Sequence, residues 1–182
     1  EGYIHDNSTG PVFPETYFLK SIRDADRIAL RRDSSGVIQY GVKPVGNSRT
    51  TAPLLFPRTF GARHLVLWNQ EGVHGKEFYK IIPQQDSSIV STAAQLNSTL
   101  GLLQREILGL ANLGEGAIKF AADDVKRFLL VPDLDAQKFS AAFTAMANRP
   151  MKDLAAELDQ ADRREIDSVI FDALGLSPVE CE

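Results

Sequence analysis

The chain has 182 residues, of which 43% are hydrophobic and 24% charged, and its formal net charge at pH 7 is -4. These values are typical of one globular domain, or one domain with a small extension, and argue against a disordered or fibrous protein. No apolar run reaches the roughly 18 residues that a membrane-spanning helix needs. The single cysteine, Cys181, excludes a disulfide framework, and we expect a cytoplasmic protein.

The charged residues are unevenly distributed along the chain. Residues 16–83 contain eleven Lys or Arg and five Asp or Glu, whereas residues 133–182 contain five basic and eleven acidic residues. Arg predominates in the basic part, and its planar guanidinium suits two-point contacts with phosphate or guanine. The alternative interpretation is an ordinary solvated surface of mixed charge.

After a polar lead-in at residues 1–16, the first half predicts a β-rich region. Short segments in which apolar and polar residues partly alternate predict strands at 17–20, 27–32, 37–45, 63–69 and 78–82. The sequence RRDSSGV, residues 31–37, predicts a hairpin turn. Residues 46–61 contain two prolines and no clear period, so they predict a long loop, and residues 69–77 predict a second loop.

From Ile89 onward, the apolar residues recur at a spacing of three and four, which predicts one long helix with a single buried stripe. The stripe consists of Ile89, Ala93, Leu96, Leu100, Leu103, Ile107 and Leu110. Gly101 and Gly109 indicate close approach of another backbone, or a break near Gly109. We assign the polar residues 97–99 on this helix to structural contacts with the loop that follows.

The segment after the helix predicts a loop at residues 112–116, a strand at AIKF (117–120), a short helix at ADDVKRF (122–128) and a last strand at LLVP (129–132). From residue 133 the pattern is purely helical, with an apolar stripe at 139–146 and a break at Pro150. Asp162 is the predicted N-cap of a further helix, with Glu165 three residues later. Gly175 and Pro178 are predicted to end that helix. We therefore predict that residues 133–182 form a helical appendage.

Residue patterns that signal catalysis are missing from the sequence. His5, His64 and His74 have no companions at metal-ligand spacing, so we predict no metal site. There is no nucleophile elbow and no phosphate-binding loop, and the pair Asp123–Asp124 is better explained as a helix start. A stand-alone enzyme is therefore the interpretation with the least support.

Residues that suit nucleic-acid recognition are concentrated in and beside the two predicted loops. Arg, His and Asn side chains on loops can contact base edges and phosphates. We predict DNA contacts by Arg49, Arg58, Arg63, His64, Asn69, His74 and Lys76, and by Asn112 in the loop after the helix. For each of these residues an ordinary surface position is the alternative, and for Trp68 it is a position in the core.

One segment carries a family resemblance. Residues 96–133, LNSTLGLLQREILGLANLGEGAIKFAADDVKRFLLVPD, resemble the target-recognition region of N6-adenine DNA methyltransferases. That group includes fused restriction–modification enzymes and relatives in phage-defence systems. RHLVLWNQEG (63–72), EFYKIIP (77–83) and DRREIDSVIFDALGL (162–176) are also similar to this region. The resemblance covers most of residues 17–176.

The resemblance implies an α+β fold. Residues 17–132 would form a twisted, mostly antiparallel, β-rich recognition domain with a long packed helix, related to the domains of type I restriction specificity subunits. It implies double-stranded DNA as a partner, gripped while a catalytic domain flips the adenine. The family's Asn-Pro-Pro-Tyr-type tetrapeptide and its glycine-rich S-adenosylmethionine site are not in this sequence. We therefore expect the chain to follow the catalytic domain of a longer protein, to bind no cofactor and to be inactive alone.

A second function class is compatible with the same sequence. In a protein–protein docking module of the same defence systems, the basic part and the helical tail would bind a partner subunit and never contact DNA. Salt-dependent DNA binding would discriminate between the two classes.

Overall fold

The computed structural model of the chain describes residues 29–30, 43–44, 52–70, 73–74, 77–84, 88–111 and 117–177, with the backbone alone at 29–30, 43–44 and 73–74. The predicted lead-in at 1–16, the predicted strand at 17–20, the predicted turn at 31–37 and the predicted loop at 112–116 lie outside these residues. The described residues form a small sheet and several helices, which confirms the α+β prediction.

The sheet lies in the first half of the described chain. The strands described, which belong to this sheet or to two short ladders beside it in the chain, are β1 (Ala29–Leu30), β2 (Lys43–Pro44), β3 (Leu54–Pro57), β4 (Thr59–Phe60), β5 (Leu67–Asn69), β6 (Val73–His74), β7 (Phe78–Ile81) and β8 (Ile118–Lys119). The main sheet has the order β1-β5-β3-β7, in which only β1 and β5 are parallel. The pairs β2–β6 and β4–β8 form two short antiparallel ladders.

The predicted long loop at residues 46–61 is wrong where the structure describes it, because β3 is a central strand. All four residues of β3 are buried, and the strand pairs with β5 on one side and β7 on the other. A strand buried on both faces shows no alternation of apolar and polar residues. Pro57 is tolerated because it ends the strand, where its missing N–H breaks no interior part of the ladder.

The predicted long helix is two helices, α1 (Ile89–Leu96) and α2 (Thr99–Leu108). Each begins with a serine cap: the Ser88 side chain accepts from the Ser91 N–H, and the Ser98 side chain accepts from the Gly101 N–H. The predicted stripe is interrupted at Asn97–Ser98. In α1, Ala93 and Leu96 are buried but Ile89 is exposed, and in α2, Leu100 is half-buried whereas Leu103 and Ile107 are exposed. A Cβ at Gly101 would lie 2.5 Å from the Leu96 carbonyl oxygen, which confirms the predicted close backbone approach.

The last strand predicted at residues 129–132 is wrong: residues 129–131 have no regular secondary structure, and Pro132 lies in a turn. Their partners are glutamine side chains. The Gln95 amide accepts from the Val131 N–H at 2.6 Å and donates to the Val131 carbonyl at 3.2 Å. Gln104 does the same with Leu129, at 2.6 and 3.0 Å. Each carboxamide thus bonds one backbone N–H and one backbone carbonyl, as a residue of a neighbouring strand would. The short helix predicted just before this segment is present as α3 (Ala122–Val125).

The helical part consists of a 3-10 turn (Ala136–Lys138), α4 (Ser140–Asn148), α5 (Leu154–Leu158) and α6 (Ala161–Leu174). The predicted break at Pro150 is confirmed. Asp162 is not the N-cap of α6: Gln160 is, and the Asp162 carboxylate lies in the first turn and binds Arg149. Gly175 ends α6 with φ of 71°, a left-handed conformation that glycine adopts without strain.

One hydrophobic cluster spans the sheet and the helical part. Phe56 of β3 contacts three other aromatic rings, each with a centroid distance of 5.2 Å. Trp68 of β5 contacts Phe143 of α4 at 5.6 Å. Residues on both sides of the predicted boundary at 132/133 thus share a core, and the division into domains there stays a prediction.

Candidate nucleic-acid interface

Arg58 lies between β3 and β4, at a place where the ends of four strands meet. Its N–H donates to the Glu77 carbonyl, and its own carbonyl accepts from the Phe120 N–H, each at 2.9 Å. The backbone of Arg58 is therefore held on one side by the chain entering β7 and on the other by the chain leaving β8. The side chain is exposed.

The Arg58 guanidinium lies over the ring of Tyr79, 5.3 Å from its centroid. The ring is fixed in turn, because Tyr79 pairs with Phe56 in the sheet and its hydroxyl donates to the Phe120 carbonyl at 3.1 Å. A cation over an aromatic ring at this distance is held by the ring's electron-rich face. Arg58 is thus an exposed cation on a rigid support.

Lys119 adds a second exposed cation near Arg58. It is paired with Thr59 across the β4–β8 ladder, and the next residue, Phe120, is the backbone partner of Arg58. We name the group Arg58, Tyr79 and Lys119 the Arg58 surface. The sequence predicted Arg58 alone of the three. The polar position in the apolar AIKF strand was a usable signal for Lys119, whereas nothing in the sequence placed Tyr79 beneath Arg58.

The other predicted contact residues fall into three groups. Arg63 is half-buried, with its backbone carbonyl held by Arg105. His64 and Asn69 are buried. Arg49, Lys76 and Asn112 lie outside the described residues, as does the side chain of His74, whose backbone is part of β6.

His64 and Asn69 have internal hydrogen bonds. The His64 Nε2–H donates to the Leu96 carbonyl at 2.7 Å, and the Asn69 side chain donates to the Ala52 carbonyl at 2.7 Å. Burial, together with the positive charge of Arg163, lowers the pKa of His64 to about 3. The imidazole is neutral, and the side chains of His64 and Asn69 are both shielded from solvent. Neither of them is therefore part of an exposed surface.

The segment that follows Arg58 is held in place by Arg105 of α2, a residue that the sequence did not single out. Its buried guanidinium donates to the carbonyls of Gly61 and Arg63, at 3.3 and 3.1 Å, and lies over the Phe60 ring. Burial lowers the pKa of Arg105, and the adjacent Glu106 carboxylate opposes that shift. A buried cation thus fixes the turn between Phe60 and His64.

The junction between α1 and α2 connects this segment to the helical part. The Asn97 side chain accepts from the Val66 N–H at 2.7 Å and donates to the Val66 carbonyl at 3.0 Å. From the other side, the Asp167 carboxylate accepts from both the N–H and the hydroxyl of Thr99, at 2.8 and 2.5 Å. The structural role predicted for residues 97–99 is confirmed. Among the described residues their partners are the lead-in to β5 and α6, and the predicted partner, the loop at 112–116, lies outside the part of the chain that the structure describes.

Other kinds of site are not found in the part of the chain that the structure describes. Within it, no group of three or more His, Cys, Asp or Glu side chains is arranged to hold a metal ion. The helices described are too short or too polar to cross a membrane. Comparisons with known protein families, with curated proteins and with solved structures gave no match.

Proposed function

We propose that this chain is a DNA-recognition domain, which positions duplex DNA for an adenine-N6 methyltransferase domain outside this sequence. The observation that carries the proposal is the Arg58 surface, where two exposed cations are held on rigid strand ends. Exposed arginine and lysine on a fixed scaffold can neutralise phosphates and contact base edges. The resemblance of residues 96–133 supplies the enzyme class.

The remaining parts of the proposal follow from the same assignment. S-adenosylmethionine would bind to the catalytic domain, and the present chain would contribute contacts to DNA but no chemistry. We place this function in the cytoplasm of a cell with a restriction–modification or phage-defence system. The acidic part from residue 133 onward would face away from DNA, since it carries an excess of negative charge.

The test is duplex binding by the full chain at several salt concentrations, with a randomised duplex pool as the probe. We expect the affinity to fall as salt rises, because bound cations release counterions from DNA. Arg58→Ala and Lys119→Ala should weaken binding. Arg164→Ala is the matched control, since it removes an exposed arginine from α6 in the acidic part. Binding that is independent of salt, or equally weakened by Arg164→Ala, would sink the proposal.

A second candidate function has an observation in its favour. Leu103 and Ile107 form an exposed apolar stripe on α2, and Leu110, just beyond the end of this helix, is also exposed; Ile107 is 69% exposed. An apolar stripe of this kind is often a protein-binding surface. If the chain is a docking module of the same defence systems, Ile107→Ser should lose partner binding and Arg58→Ala should keep it. If the chain binds DNA, Arg58→Ala should weaken DNA binding and Ile107→Ser should leave it unchanged.

A further inference from the structure

We propose that Arg58 reads a guanine base, that Tyr79 positions it for that purpose, and that Lys119 contacts the phosphate backbone. This inference rests on the proposed DNA-recognition function and assigns different tasks to the two cations of the Arg58 surface. It follows from how differently Arg58 and Lys119 are held.

The backbone of Arg58 is fixed on both sides. Both the N–H and the carbonyl of Arg58 are hydrogen-bonded, to Glu77 and Phe120. These partners belong to chain segments that enter β7 and leave β8, so the Cα of Arg58 is fixed relative to two ladders. A base contact requires such placement, because the acceptors of a base edge occupy fixed positions in the groove.

The guanidinium of Arg58 is also held in place. It lies over the Tyr79 ring, which is immobilised by its sheet pairing and by the hydrogen bond of its hydroxyl. The Arg58 side chain has no hydrogen bond or ion pair with the part of the chain described by the structure, so its donors are available. Stacking restricts the rotamers of Arg58 before DNA arrives, which lowers the entropy lost on binding. The planar fork then matches the O6 and N7 acceptors of guanine in the major groove.

Lys119 differs from Arg58 in how its charge is held. Its side chain is exposed on the two-residue strand β8. An ammonium on a flexible four-carbon stem has no planar fork and acts as a point charge. Such a group neutralises phosphate with little dependence on sequence. The pair therefore combines one geometric contact with one electrostatic contact at the same edge of the domain.

The experiment begins with selection of bound sequences from a randomised duplex pool by the wild-type chain. The dissociation constant is then measured on the selected duplex and on duplexes in which single guanines are replaced by 7-deazaguanine or by adenine. We expect one guanine whose replacement weakens wild-type binding by about 5- to 150-fold. Arg58→Ala should remove that preference at the same position. Lys119→Ala should weaken binding to all duplexes alike and lower the salt slope by about one.

Three further variants isolate the geometry. Arg58→Lys keeps the charge but removes the fork, so it should lose the guanine preference while keeping the salt slope. Tyr79→Leu should lose part of the preference, and Tyr79→Phe, which keeps the ring, should retain most of it. If Tyr79 were merely structural, Tyr79→Leu would lower the stability of the protein without changing the ratio of the dissociation constants for the guanine and the substituted duplexes. Unfolding midpoints in urea check that every variant is folded.

The outcomes separate this inference from the function on which it rests. If Arg58→Ala weakens all duplexes equally and lowers the salt slope by about one, Arg58 is a phosphate contact and the inference is overturned, while the DNA-recognition proposal stands. If the wild-type chain shows no salt-dependent binding to any duplex, both are overturned.

Discussion

The imidazole of His64 shows how one buried residue responds to its surroundings. It is 2% exposed and stacks on the Phe60 ring, with 5.4 Å between the centroids. Its Nε2–H donates to the Leu96 carbonyl, so the other ring nitrogen is the unprotonated one, and it has no partner among the described residues. A proton there would place a charge in a desolvated position close to Arg163 and Arg105. This arrangement explains why the pKa of His64 falls to about 3.

Stability should therefore depend on pH through His64. In the unfolded chain this residue titrates near its ordinary pKa of about 6.5. Between that pH and the folded value of about 3, only the unfolded state binds the proton. The contribution of His64 is fully present above about pH 6.5 and decreases as the pH falls, by up to about 1.4 kcal/mol per pH unit.

The measurement is the free energy of unfolding of wild type and His64→Gln between about pH 7 and pH 5. The wild type should lose stability faster than the variant as the pH falls. The opposite dependence from Asp167, whose pKa burial raises, is common to both proteins and cancels in the difference. Parallel curves for the two proteins would contradict the buried, neutral state of His64.

At the scale of elements, carboxamide side chains take the place of missing strands. Asn97, Gln95 and Gln104 each pair with both the N–H and the carbonyl of one backbone residue, which is Val66, Val131 and Leu129 respectively. The Val66 groups are buried and need such a partner, because an unpaired buried group loses its hydrogen bond to water, whereas the Leu129 groups are exposed. The α1–α2 unit is in this way attached to the residue before β5 and to residues 129–131.

Replacing Asn97 by alanine should destabilise the fold by about 2 to 4 kcal/mol, because both Val66 groups and the Ala93 carbonyl lose a buried partner. The control is Asn148→Ala, whose amide donates to the Thr144 carbonyl at an exposed position and whose loss should change stability by about 0.5 kcal/mol or less. Urea unfolding measures both variants. An equal effect of the two substitutions would show that the Asn97 contacts contribute little.

The elements that the sequence predicted well are those with a clear period or a strong stop signal. The strands at 27–32, 37–45, 63–69 and 78–82 each contain a described strand, and Gly109 and Gly175 end their helices. The failures have physical causes. β3 has no alternation because both faces are buried, and the apolar period continues across Asn97 although the helix does not. The direction of a loop side chain has no sequence signal, which is why His64 looked like a contact residue.

At the scale of the whole molecule, the sheet and the helical part share a core. Trp68, the single tryptophan, lies on β5 against Phe143 of α4. Asp167 of α6 binds the start of α2, and the Arg163 side chain, which is 0% exposed, lies beside this contact. Separation of the two parts would expose these groups to water together.

Tryptophan fluorescence and far-UV circular dichroism should therefore report the same midpoint in urea. Trp68 reports the sheet–helix contact, whereas most of the dichroism comes from the helices, so coincident curves indicate one cooperative unit. Phe143→Ala should shift both curves equally, with a loss of about 3 to 5 kcal/mol. Two separate transitions would instead support an independently folding appendage at residues 133–182.

The segregation of charge is also a property of the whole molecule. The described residues from 133 to 177 contain nine acidic and five basic side chains, whereas the Arg58 surface carries two exposed cations. Duplex DNA should approach the face that bears Arg58 and be repelled by the acidic helices.

A nuclear magnetic resonance titration of the chain with duplex DNA tests the central claim most directly. We predict that the amide signals of Arg58, Thr59, Tyr79 and Lys119 shift first and most, and that the shifts diminish as salt is added. The signals of Leu103, Ile107 and α6 should stay in place. Shifts confined to α2 or to the acidic helices, or no salt-sensitive shifts at all, would contradict the assignment of the Arg58 surface to DNA.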